Sequence, residues 1–228
     1  MNILLQIIIG FFLADIITGG FHWFEDSYLH YCINIPIFSE ISKDNELHHY
    51  FPRAMLAYNY VDHMAYSVPI TLLCVVVAYL INKNFVINNP YLIITFLIFA
   101  SFSNVIHRFS HMRDCENNVL VKIMQKLGIF AHHDYHSRHH QIPDARYCVI
   151  SVYSNSILDT IGFWRGLEGI IYLLTGVSPD RKGGYSSYES IHTNIHSNAK
   201  LECPDEPTLE DVRILKEKLH GYIQCELR

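Results

Sequence analysis

The chain has 228 residues, half of them apolar and only 17% charged, with a net charge of −5. That composition excludes disorder, collagen-like repeats and coiled coil, and 17 Lys plus Arg against 22 Asp plus Glu leave no basic field for gripping nucleic acid. Six scattered cysteines without a C-x-x-C pair argue against a zinc ribbon or a small disulfide scaffold and suit a reducing compartment, whereas fifteen histidines are far more than a core needs.

The first apolar run, residues 3–20, is interrupted only by Gln6 and Asp15. It lacks a basic leader and a small-residue cleavage site, so it predicts a retained membrane anchor rather than a signal peptide. Residues 64–81 and 91–106 carry no charge at all. Each run approaches the roughly 20 residues that span a bilayer, and the remaining polar chain is too short to surround three such helices in water. Val119, Met124, Leu127 and Phe130, interleaved with Lys122 and Lys126, predict a surface-lying helix. The apolar stretch 167–177 is about half a span long, carries Glu168 and reads as interfacial. From Ser178 the chain turns polar and loop-like. Thr208 with Asp211 forms a capping signal ahead of a helical stripe of Val212, Leu215, Leu219 and Tyr222. The expectation is an all-α integral membrane protein with about three transmembrane helices plus interfacial helices, divided into a membrane-embedded domain (1–177) and a polar cytosolic tail (178–228).

Counting crossings puts the histidine-rich stretches after the first, before the second and after the third span on one side of the membrane. Only Lys83 lies in the opposite connection, and the other sixteen Lys and Arg share the histidine side. By the positive-inside rule that side is cytosolic. Arg138, Arg146 and Arg165 fit this bias, and they also suit lipid phosphate or an acidic electron carrier.

Four clusters stand out: His22 with Asp26, the pair His48-His49, His107 with His111, and His136 with His139 and His140. Residues four apart share a helix face and clamp one ion, while adjacent helical histidines diverge by about 100° and serve two. Two such pairs and two i, i+4 pairs therefore suggest a dinuclear centre. Imidazole suits iron, zinc, copper or nickel. His132 and His133 remain ambiguous as ligands, and His30, His63, His192, His196 and His220 read as interfacial hydrogen-bonders. Asp15, seven residues before His22 on the same stripe, is costly in an apolar run, and its best use is to orient His22 through the ring N–H.

These residues form a recognisable series. Asp15-x-x-Thr18-Gly19-x-x-His22-Trp23-x-x-Asp26 is followed by His48-His49-x-x-Pro52 and His107-x-x-Ser110-His111. Gly128 comes next, then His139-His140-x-x-Pro143-x-x-x-Tyr147-Cys148, Asn155 and Gly162-Phe163-Trp164-Arg165-x-Leu167-Glu168. From about Asp15 to Val177 the chain resembles the lipid desaturase family of plasmanylethanolamine desaturase (the Kua proteins), the CarF proteins and a plant plastid acyl-lipid desaturase. The resemblance implies a di-iron enzyme of the endoplasmic reticulum that takes two hydrogens from a chain of an intact lipid. In plasmanylethanolamine desaturase the product is the vinyl ether of a plasmalogen, with oxygen as oxidant and cytochrome b5 as electron donor. It implies His22, His48, His49, His107, His111, His136, His139 and His140 as iron ligands, Asp26 as a ninth, and Asp15 and Asn155 as supports behind them. Two departures stand out: Phe51 replaces the usual Asp of the second motif, and Tyr135-His136 replaces the first pair of the fourth. An acyl-lipid desaturase or a di-iron lipid hydroxylase would use the same cage. A metal transporter fits less well, because the second and third spans carry no charge.

Overall fold

The computed structural model describes residues 1–142, 144–180 and 205–223, and among these every regular element is helical. α1 (Ile3–Tyr28) starts where the Asn2 side chain accepts from the Leu5 N–H, and it continues well past the predicted apolar run, to the acidic face that carries His22 and Asp26. α2 (Pro36–Tyr50) begins on a proline, and a 3₁₀ turn (Pro52–Ala57) follows it. α3 (Tyr60–Ile81) starts four residues earlier than expected, because Asn59 and Asp62 form a reciprocal capping box. The short α4 (Lys83–Asn88) links it to α5 (Pro90–Ser101) at the far end of the bundle.

The third span is not one helix. α5 ends at Ser101 and α6 (Ser103–His111) restarts with a bend of 44°. The break falls where the Ser67 hydroxyl of α3 donates to the Ser101 carbonyl at 2.6 Å, drawing an acceptor out of the helical ladder. Two helices, α1 and α3, are long and apolar enough to cross a bilayer, and the bent α5–α6 pair makes a third. α1 lies against α5 so closely that a Cβ on Gly10 would stand 2.5 Å from the Leu92 carbonyl oxygen.

The remaining helices are α7 (Val119–Lys126), α8 (His133–Gln141), α9 (Val152–Thr160), α10 (Phe163–Thr175) and α11 (Leu209–Tyr222). The predicted surface helix is α7, shorter than its stripe, with Leu127 and Phe130 beyond its end. α10 is the predicted interfacial helix: it buries Trp164 and Glu168, while Leu173 and Leu174 point outward. Left-handed glycines, Gly162 and Gly176, bound it at either end. α11 forms with the predicted Thr208–Asp211 capping box and seats Val212 and Leu219 on Tyr31, Leu47 and Ala54, with Lys216 paired to Asp44 at 2.5 Å. The histidines predicted at 192 and 196 lie outside the described residues. The cysteines depart from the reducing-compartment expectation: Cys32 and Cys115 are disulfide-bonded, whereas Cys74 and Cys148 are free. Pairing depends on spatial approach, which scattered spacing does not display.

Candidate metal centre

Four elements deliver the buried histidines to one end of the bundle. α1 brings His22 and Asp26, α2 brings His48 and His49, α6 brings His107 and His111, and α8 brings His136, His139 and His140. They fall into two neighbouring groups. His48, His107, His111, His136 and His140 form one; His22, Asp26, His49 and His139 form the other, and within each the donor atoms lie within 4.8 Å of one another. All nine residues proposed from the sequence converge. The adjacent pairs divide between the groups as helix geometry requires, His48 and His140 to the first, His49 and His139 to the second.

The ring orientations show which nitrogens face inward. His22 Nδ1 donates to the Tyr147 carbonyl at 2.9 Å, His48 Nδ1 to Asn45 O at 2.6 Å and His139 Nδ1 to Ala145 O at 2.7 Å. A carbonyl only accepts, so each Nδ1 carries the proton and each Nε2 keeps a lone pair. Those three Nε2 atoms, and Asp26 Oδ2, are buried without a hydrogen-bond partner. Asp26 Oδ2 stands 3.4 Å from His22 Nε2 and 3.1 Å from His139 Nε2, while Oδ1 accepts from Asn45 Nδ2 and meets His49 Nε2, both at 2.9 Å. In the other group His107 Nε2 lies 2.8 Å from His136 Nε2 and 3.1 Å from His111 Nε2, and His140 Nε2 lies 3.1 Å from His136 Nε2. Donors at about 2.1 Å around one ion stand roughly 3–4 Å apart. Burial and neighbouring imidazoles push His48, His136 and His140 well below the usual histidine range, so they are neutral, as metal ligands must be. The donor set fits a pair of metal ions.

Asp15 does not orient His22 directly. Seven residues of helix separate them by about 10.5 Å. Instead its fully buried carboxylate accepts from Ile150 N–H (3.0 Å), Ser151 N–H (3.2 Å) and the Ser151 hydroxyl (2.7 Å). Asn155 grips the same segment, accepting from Cys148 N–H at 2.9 Å and donating to Cys148 O at 2.7 Å. Together they pin residues 147–151, whose Tyr147 carbonyl holds His22. Gly19 permits this approach, since a Cβ there would lie 2.7 Å from Cys148 Sγ. Arg146, left-handed at φ 65°, turns the chain into this segment, a conformation that costs an ordinary residue about 1–2 kcal/mol.

Several supports had no signature. Tyr147 and Ala145 act through carbonyls that any residue carries. Asn45 was legible in principle, three and four residues before the histidine pair on one helix. His132 caps α8 through the Tyr135 N–H and stands outside both groups, as does His133, leaving His136 as the fourth cluster's leading donor. His30 pairs with Asp180, and His63 meets the Met55 carbonyl. Arg165 pairs with Asp144 and Arg146 lies over the Tyr135 ring.

A cavity opens beside the cluster, about 1250 Å³ with its mouth included, and His22, His48 and His107 line it. Its charged lining is Glu25, Asp44 and Asp62. Glu25 is three residues beyond His22, and Asp44 four before His48, so these histidines lie within a helical turn of the polar end. The rest is largely apolar and runs between α1, α3 and α5.

A lipid desaturase domain model matches residues 11–182. A probable fatty acid desaturase of Acanthamoeba polyphaga mimivirus is 33% identical over 78% of this chain and 86% of its own. Mouse plasmanylethanolamine desaturase 1 is 27% identical over 78% of this chain and 68% of its own. A chloroplastic fatty acid desaturase 4-like protein of Arabidopsis thaliana is 25% identical over 75% of this chain and 60% of its own. No solved structure matches the chain.

Proposed function

The chain belongs to the lipid desaturase family, and on that premise we propose that it converts plasmanylethanolamine to its vinyl ether at a di-iron centre, with O2 as oxidant. One observation carries the reading: nine buried donors, in two groups, converge beside the polar end of an apolar cavity. A lipid that buries its chain in the apolar part leaves its headgroup at the acidic rim, which sets the carbons nearest the headgroup beside the metal-facing histidines. That placement favours oxidation next to the glycerol oxygen over oxidation at mid-chain.

Iron held by these residues would supply the O2 activation that an unactivated C–H bond requires. The protein's own share is positional. Tyr147, Asn45 and Ala145 fix the tautomers of three ligands, and Asp26 adds a negative charge to one group. The cavity wall keeps the alkyl chain aligned and water out. The substrate yields two hydrogens, and two further electrons and two protons complete the reduction of O2 to two waters. A small electron carrier of the cytochrome b5 kind is the donor.

Expression in cells lacking the plasmalogen desaturase tests this directly. Acid-labile vinyl ethers should appear with this chain and vanish with His107→Ala. New acyl double bonds instead would support the acyl-lipid reading, which the fatty acid desaturase names of two relatives favour, and hydroxylated chains would replace desaturation altogether.

We place the enzyme in the endoplasmic reticulum, as the family resemblance implies, with its histidine end toward the cytosol on the strength of the Lys and Arg asymmetry. The disulfide-bonded Cys32 and Cys115 at that end weigh the other way. Protease treatment of sealed microsomes decides: cleavage at Lys122 and Lys126 without detergent supports the cytosolic face, and protection overturns it.

A further inference from the structure

Below the histidines the cavity extends along α3 and α5 to a largely apolar end, further than positioning one carbon pair requires. α3 contributes one face to it, the stripe Asp62, Tyr66, Ile70 and Cys74 at i, i+4, i+8 and i+12, flanked by His63, Ser67 and Thr71. That face follows the helix for about 18 Å. The opposite wall descends from His107 through Ser103 and Ala100 to Phe96. Cys74 and Phe96 are the last lining residues on their helices, and both belong to the packed cluster of Ala14, Ala100 and Ile106, so nothing beneath them yields easily. The two ends accept different chemistry. Carboxylates at the rim would strand a terminal methyl among polar groups, and the apolar floor offers a headgroup no partner.

Resting on the lipid desaturase reading, we propose that the cavity takes one hydrocarbon chain of a membrane lipid end-on, and that Cys74 and Phe96 form the stop that sets the accepted chain length. A filled apolar pocket discriminates single methylenes by about 10–200-fold, so the cut-off is steep. Enlarging Cys74 raises the stop; trimming Phe96 lowers it.

The full chain in membranes is given a ladder of ether lipids that differ only in alkyl length, with metal content per chain checking the fold of each variant. Cys74→Trp should cut turnover of the longest accepted chains at least ~10-fold while sparing shorter ones, and Phe96→Ala should admit chains the parent rejects. An unchanged ranking in either folded variant overturns the proposal. Should both variants fail to fold, the parent protein still answers: N-ethylmaleimide alkylation of the free Cys74 should slow on adding a long-chain ether lipid but not glycerophosphoethanolamine. Equal rates overturn the stop. Protection of Cys74 in a protein that desaturates none of the lipids would retain the slot and reject the desaturase reading.

Discussion

The two donor groups lie ring against ring, His48 and His49 at 4.5 Å between centroids, yet they are built differently. The five-histidine group draws on α2, α6 and α8 and holds no carboxylate. The other draws on α1, α2 and α8 and is organised around Asp26, whose second oxygen is already held by Asn45. An ion among neutral imidazoles keeps its full charge, whereas a carboxylate offsets part of it and suits a harder ion. Two groups with near-equal donor numbers are thus electrostatically unequal, because only one of the four contributing helices brings an acid into them.

The largest effects should come from removing one donor from each group. His107→Ala and His139→Ala should each lower desaturation more than ~100-fold, since even outer partners of metal ligands cost 10–100-fold. Metal analysis should show each variant losing metal from its own group; loss of neither metal nor activity would break the comparison. Asp26→Asn sharpens it. The amide keeps the shape and removes the charge, so metal affinity should fall about 10–100-fold at the carboxylate group while the five-histidine group stays loaded. Equal loss at both would show that the charge is shared. The smallest effect belongs to Asp15→Ala, which leaves the Ile150 and Ser151 donors unpaired at a cost of about 1–3 kcal/mol in unfolding stability. Its influence on metal should be confined to the group containing His22.

The nine donors and the spans were legible because both are short-range patterns: i, i+4 and adjacent spacings on helices, and unbroken apolar runs. What escaped the sequence acts over long separations or through the backbone. The bend between α5 and α6 depends on Ser67, 34 residues earlier. Asp15 looked like a direct partner of His22 because the two share a stripe, but the intervening support is a segment 135 residues onward, held through main-chain N–H groups. Bonded Cys32 and Cys115 are invisible for the same reason: only the folded chain brings partners together.

That carboxylate has a consequence for how the protein is made. α1 is made before the other helices described, with an acid in the middle of its bilayer segment, yet the Ile150 and Ser151 donors that satisfy it lie 135 and 136 residues further along the chain. An ionised carboxylate facing hydrocarbon alone costs several kcal/mol. The N-terminal helix is therefore a weaker free-standing insert than its apolar residues alone would make it, and its acid finds these donors only once residues 150 and 151 have been translated.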